Sequence, residues 1–188
     1  MKVLIITASP NKNGLTAACA EAAKQGVEAA GGNVRMVRLN DLEISQCQAC
    51  GNGWGNCLKE HRCKVQDDFQ DLHKFVDEAD GYVMVTPVYW GEMSESAKMF
   101  TDRLRRCEAS NREGNNKTAN KPYIAVAAAG GTGNGTLTCL SSMERLFGHM
   151  RSERFDLIGI TRKNRDYKLD TIRLAAEKMV VKSMPINH

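Results

Sequence analysis

The sequence predicts an α/β fold in which a parallel sheet is covered by helices on both faces. Three observations predict it. Five strand-like runs alternate with five helix-like stretches along the 188 residues. Two of the runs, Tyr82-Val83-Met84-Val85 and Ile124-Ala125-Val126-Ala127, are unbroken and apolar, as central strands buried on both faces require. The first run turns straight into a helical pattern through the small, polar stretch Ala8-Ser9-Pro10-Asn11.

Strands are expected at about Lys2–Ala8, Asn33–Leu39, Gly81–Val88, Pro122–Ala129 and Phe155–Thr161. The first helix runs from about Gly14 to Ala30, where Gly31-Gly32 stops it. The second follows Asp67-Asp68 and places Phe69, Leu72, Phe75, Val76 and Ala79 on one stripe. Ser94 caps the third, which turns Ala97, Phe100, Leu104 and Cys107 inward. The fourth carries Leu137, Leu140, Leu146, Phe147 and Met150. The last carries Ile172, Ala175, Ala176 and Met179 and closes before Pro185. Two segments break the rhythm: a cysteine-bearing insertion at about 40–65, and a polar loop at 108–121 expected to be exposed and mobile.

The length suits one domain spanning 1–188. Hydrophobic residues make up 42% and charged residues 26%, without low-complexity tracts or repeats. No stretch approaches the roughly 20 apolar residues of a membrane span. Met1-Lys2-Val3 enters a strand without a basic, apolar or cleavable leader, so a cytoplasmic location and no membrane partner are expected. The net charge is +4. Arg103, Arg105 and Arg106 read as solvated charges near a helix C-terminus. Arg162, Lys163 and Arg165 fall in one loop. Neither cluster is interleaved with aromatics, so no nucleic-acid partner is expected.

Ligands of open parallel sheets lie beyond the carboxyl ends of the strands, and three loops there carry suggestive chemistry. At the first, a strand running directly into a helix leaves the helix's first N–H groups unpaired at the positive end of its dipole. That corner suits a phosphate, with Gly14 and Leu15 at the helix start and Ser9, Asn11, Asn13 and Thr16 adding side-chain donors. The second, Thr86-Pro87-Val88-Tyr89-Trp90-Gly91, sets two aromatics on a loop, where they suit a flat ring or a protein surface. The third, Ala129-Gly130-Gly131-Thr132-Gly133-Asn134-Gly135-Thr136, lets the main chain approach a ligand closely.

These residues resemble the flavodoxin-like superfamily, specifically its NAD(P)H-dependent FMN reductases and iron–sulfur flavoproteins. Ala8-Ser9-Pro10-Asn11 on to Thr16 is similar to the family's Gly-Ser-Pro-Arg-x-x-x-x-Thr, with Asn11 in place of the arginine. Thr86, Pro87, Tyr89 and Gly91 match Thr-Pro-x-Tyr-x-Gly. The resemblance covers nearly the whole chain. It implies a three-layer, doubly wound five-stranded sheet of order 2-1-3-4-5, and a homodimer or homotetramer with flavin sites at subunit contacts. It further implies FMN, its phosphate held by Ser9, Asn11, Asn13 and Thr16 and its ring flanked by Pro87, Val88, Tyr89, Trp90 and Gly91, with Gly130, Gly131 and Thr132 completing the site. FMN would take electrons from NADH or NADPH and pass them to a quinone, a free flavin or a redox protein. No side chain need act as acid or base. The alternatives are a flavodoxin-like electron carrier, whose usual acidity the +4 charge argues against, and a zinc-stabilised interaction module.

Four of the seven cysteines, Cys47, Cys50, Cys57 and Cys63, give the spacing C-x2-C-x6-C-x5-C. Thiolates so spaced suit a [4Fe–4S] cluster or a zinc ion, and Gly51, Gly53 and Gly55 let the backbone wrap closely. Iron–sulfur flavoproteins carry a compact cysteine motif in this loop, usually with a third cysteine three residues after the second. Gly53 occupies that position here, and Cys57 stands in from further along. Free thiols and a Cys47–Cys50 disulfide are the competing readings, and His61 is read as a bland surface residue. Cys19, Cys107 and Cys139 fall on helical patterns as small packing residues.

Overall fold

The computed structural model describes residues 1–111 and 116–183. Its elements are β1 (Lys2–Thr7), α1 (Leu15–Ala29), β2 (Asn33–Arg38), α2 (Cys50–Gly53), α3 (Phe69–Glu78), β3 (Gly81–Tyr89), β4 (Glu92–Met93), α4 (Glu95–Ser110), β5 (Pro122–Ala129), α5 (Thr136–His149), β6 (Glu153–Thr161) and α6 (Arg165–Lys182). The long strands lie side by side as β2-β1-β3-β5-β6, all parallel, which is the expected 2-1-3-4-5 once the two-residue β4 is set aside. That extra strand was not expected. It folds back antiparallel on the end of β3, pairing Val88 with Met93 and Tyr89 with Glu92.

Period-two alternation sorts the strand side chains into two cores. Leu4, Ile6, Tyr82, Met84, Tyr123 and Ala125 face α3, α4 and α5 on one side. Val3, Ile5, Val83, Val85, Ile124 and Val126 face α1 and α6 on the other. The Tyr123 and Phe147 rings stack at 3.9 Å between centroids. Cys19, Cys107 and Cys139 are fully buried packing residues, as expected. A Cβ at Gly26 would lie 2.0 Å from the Arg173 carbonyl oxygen, so only glycine lets α1 and α6 approach this closely.

Leu137 is not part of the inner face of α5. It is 80% exposed in the first turn, because the helix leaves the sheet edge there before its apolar stripe reaches the core. One expectation needs correction: the 108–121 segment is not a uniformly exposed loop. Residues 112–115 lie outside the described ones, α4 itself extends to Ser110, and Thr118 is fully buried with its hydroxyl donating to the Met150 carbonyl at 2.6 Å. Among the described residues no helix is long and apolar enough to cross a membrane.

Candidate functional site

Because β1, β3 and β5 are parallel neighbours, the three suggestive loops leave one rim of the sheet. At the first corner α1 begins at Gly14 without a side-chain cap, leaving its first N–H groups aimed at the rim. The loop residues organise one another: the Ser9 hydroxyl accepts the Asn11 N–H at 3.3 Å, and the Asn11 side-chain oxygen accepts the Asn13 N–H at 3.0 Å. The Asn11 carboxamide thereby lies over the helix start, where a Cβ on Gly14 would come 3.0 Å from its Nδ2. Ser9 and Thr16 are buried, Asn11 and Asn13 exposed, and Leu15 packs beneath the loop against the α1–α6 core. Arg38 was not foreseen. From the end of β2, the strand beside β1, its Nη2 reaches the Ser9 carbonyl at 3.5 Å while Nε pairs with Asp41. With Lys12, also paired to Asp41, it brings positive charge to a loop that has Asn11 where the family has arginine.

The second corner is a tight hairpin. Trp90 and Gly91 both have positive φ, at 54° and 80°, the pattern of a type I′ turn between β3 and β4. Trp90 is an unusual occupant of such a position, and its side chain is wholly exposed. Pro87 is buried, Val88 half-buried and Tyr89 exposed. The hairpin is pinned from below: the Thr86 hydroxyl accepts the Ser94 N–H at 3.1 Å, and the Ser94 hydroxyl donates to the Ala8 carbonyl at 2.8 Å. The same Ser94 oxygen accepts the Ala97 N–H, capping α4 as the sequence predicts.

The third corner is exposed at Gly130, Gly131 and Thr132, and a Cβ on Gly131 would meet nothing within 4 Å. It joins the second through glycine. A Cβ on Gly135 would fall 2.5 Å from the Gly91 Cα, and the Thr138 hydroxyl donates to the Gly91 carbonyl at 2.6 Å. The rim therefore offers an uncapped helix N-terminus, an aromatic hairpin and a bare main-chain cradle. These are the parts that a phosphate-bearing, flat-ringed ligand such as FMN requires, and the residues present fit that group.

The cysteine segment is held differently. Cys47, Cys50, Cys57 and Cys63 line one small pocket with Arg103 and Arg106 from α4. Their sulfurs are unpaired, and among the described residues no three come within 4.8 Å of one another. Zn–S bonds of 2.3 Å in a tetrahedron would hold sulfurs roughly 3.8 Å apart. A cluster, being larger than one ion, spreads its ligands further, and four thiolates around one pocket are a donor set that suits it. Positive φ at Gly51 (56°) and Gly53 (96°) shapes the wrap, and Gly55 passes so near Cys50 that a Cβ would sit 2.9 Å from the cysteine's own. His61 is no bland surface residue: it is partly buried, and its Nδ1 lies 3.1 Å from the Ser110 hydroxyl.

Arg103 overturns its expected role as a solvated charge, since it is 1% exposed. Its Nη1 reaches both oxygens of Asp67 at 2.9 and 2.7 Å and the Ser45 carbonyl at 3.0 Å, while Nη2 takes the Val65 carbonyl at 2.9 Å. Asp67 in turn accepts the Ser45 N–H at 2.9 Å. Ser45 and Val65 flank the four cysteines, so this ion pair clasps both ends of the segment together. The guanidinium also lies 4.2 Å over the Phe69 ring. Burial works to raise the Asp67 pKa, but Arg103 and the backbone donors outweigh it and hold the carboxyl below its ordinary 3.8. Arg106 extends the wall, bonding the Gly53 carbonyl and covering Trp54 at 4.9 Å.

Beside the clasp lies a buried polar cluster that sequence reading missed. His73 Nε2 is 2.6 Å from Glu108 Oε1, both nearly inaccessible. Arg62 sits 3.1 Å from His73 Nδ1 and donates to Asp77 at 2.6 Å. Arginine can only donate, so Nδ1 accepts and Nε2–H points to Glu108. His73, Asp77 and Glu108 have ligand atoms within 4.8 Å of one another, but the guanidinium already supplies their positive charge. The His73–Glu108 contact joins residues 35 apart in sequence, and nothing local in either helix marks it.

The family profile described as NADPH-dependent FMN reductase matches residues 1–153. The chain belongs to this family. Its relatives include an iron–sulfur flavoprotein of Archaeoglobus fulgidus, 32% identical over 104 residues that cover 55% of this chain and 46% of that protein. Another, from Methanocaldococcus jannaschii, is 29% identical over 147 residues, covering 78% of this chain and 72% of that one. The match thus spans less than half the length of the Archaeoglobus relative. Among solved structures, an archaeal flavodoxin superposes with a TM-score of 0.63 at 18% identity, covering 97% of this chain and 98% of the flavodoxin, which places this family member in the flavodoxin-like fold.

Proposed function

We propose that the protein is an FMN-dependent oxidoreductase that draws electrons from NADH or NADPH and carries a [4Fe–4S] cluster on Cys47, Cys50, Cys57 and Cys63. The observation that carries the reading is the convergence of three corners on one rim, each with a different part of a mononucleotide's chemistry. The α1 N-terminus, with Ser9, Asn11, Asn13, Gly14, Leu15 and Thr16, would hold the phosphate, and Arg38 and Lys12 would add the charge that Asn11 lacks. Residues 87–91 and Gly130, Gly131 and Thr132 would hold the ring.

When bound, FMN supplies hydride acceptance and release of one or two electrons, and the cluster a one-electron exit. The chain's own part is positional. Main-chain groups at the rim orient the ring, and the exposed Tyr89 and Trp90 offer an aromatic flank. No acid or base is required of a side chain. The rim is open, with the large apolar side chains of Tyr89, Trp90 and Leu137 exposed around it, which supports a homodimer or homotetramer in which a second copy closes the site. Residues 1–188 would act as one flavin-binding domain.

The test is the absorption spectrum of anaerobically purified protein with flavin, iron and sulfide quantified. One FMN and about four irons per chain are expected under this reading, whereas colourless protein that takes up no added FMN refutes it. Mixing the FMN form with NADPH or NADH in a stopped-flow instrument should bleach the flavin. Absence of bleaching with both donors would leave an electron carrier.

A further inference from the structure

The Arg103 side chain has one polar atom that the clasp does not use. Nη1 and Nη2 are satisfied by Asp67, Ser45 and Val65, but Nε is buried and among the described residues has no hydrogen-bond partner. An unmet buried N–H is costly, more so in a charged group, and this side chain is wholly enclosed. It lines the pocket of the four cysteines. Asp67 and the Ser45 and Val65 carbonyls fix the guanidinium in place, so a cation is held beside the sulfurs.

We propose that the Arg103 Nε–H donates to a sulfur of the cluster and that its charge raises the cluster's reduction potential. Arg103 is a positioning residue in this role, and the inference rests on the cluster reading above. Four thiolates around a cluster carry net negative charge, and one further electron makes it more negative. A fixed cation with an unused donor stabilises the reduced form more than the oxidised one. The same residue that closes the base of the segment therefore sets how readily its contents accept an electron. No sequence spacing reveals this, because Arg103 lies 40 residues beyond Cys63.

The experiment is an EPR-monitored redox titration of the full chain, wild type against Arg103→Lys, with iron and sulfide counted on both. Lysine keeps the positive charge but lacks the Nε–H of the guanidinium fork. With iron content matched, Arg103→Lys should hold the added electron at least tenfold less tightly, a shift of about 59 mV to lower potential for one electron. An Arg103→Met protein that still folds should shift further, having lost the charge as well. Equal potentials in wild type and Arg103→Lys overturn the inference while the cluster reading stands. Wild-type protein without iron and sulfide overturns both.

A second measurement does not depend on any substitution at Arg103. Pulsed EPR of the reduced wild type grown on ¹⁵N-arginine should show a nitrogen coupling that survives Arg106→Met. A spectrum without arginine nitrogen coupling also refutes the contact.

Discussion

The loop-lined rim and the cysteine segment sit on the same chain yet are built by opposite means. The rim is a product of topology. Three parallel strands end together, and the chain must turn there whatever its side chains are; glycine and an uncapped helix then expose main chain to a ligand. The cysteine segment has almost no regular structure: α2 is four residues long, with non-helical angles at Gly51 and Asn52. Its shape comes from side chains reaching in from outside, namely Arg103, Asp67, and Gln70, whose amide donates to the Cys63 carbonyl at 3.0 Å. A site made by backbone tolerates most substitutions except at its glycines. A site made by a buried ion pair fails with one residue.

That contrast can be broken most forcefully at the clasp. Replacing Arg103 with methionine leaves the Asp67 charge without its partner and should cost about 3–5 kcal/mol, read from urea unfolding. The pH dependence follows from Asp67. Its folded pKa lies below the ordinary value of 3.8, so its contribution is fully present above 3.8 and is lost as pH falls through the folded pKa. Wild-type stability should therefore fall more steeply with acid below 3.8 than that of Asp67→Asn. Parallel pH profiles would show that the clasp contributes no net stability.

At the rim the largest effect is expected from Gly135→Ala, which adds a Cβ at positive φ, 2.5 Å from the Gly91 Cα. The strain should be about 1–3 kcal/mol, and parting the second and third corners should weaken FMN binding about tenfold or more. Unchanged FMN affinity by fluorescence titration would mean the two corners need not touch. Ser94→Ala removes both the cap of α4 and the donor to the Ala8 carbonyl, for a loss of about 1 kcal/mol, with a smaller effect on FMN. The smallest change has the opposite sign. Trp90→Asn suits a type I′ turn and should stabilise the apo protein by about 1 kcal/mol, while lowering NAD(P)H oxidation if the indole flanks the ring. A variant that is both more stable and fully active would assign Trp90 elsewhere.

What was legible in the sequence follows the same division. Strand positions, helix starts and the three corners could be read because they depend on neighbours in the chain: apolar runs, Gly31-Gly32, and the Ser94 cap that the structure places as expected. The β3–β4 hairpin was missed because its signal, Trp90-Gly91, lacks the Asn or Asp usual in such turns. The exposure of Leu137 could not be read because a helix's first turn can carry an apolar residue on its periodic stripe while lying beyond the sheet. Arg103 was misread as a surface charge, since the groups that make its burial tolerable are Ser45, Val65 and Asp67, at least 36 residues away. Arg38 needed the strand order first; only beside β1 does the end of β2 matter to the phosphate corner.

Helix α4 begins at Ser94, bonded beneath the rim, and carries Arg103 nine residues later into the cysteine pocket. Nine residues of helix fix about 14 Å along the axis and a defined angle about it. The separation of the rim and the cysteine pocket is thus written into a rod rather than left to loops. Lengthening that rod by a single residue would swing the guanidinium about 100° around the axis and uncouple the pocket from the rim, with every cysteine still in place.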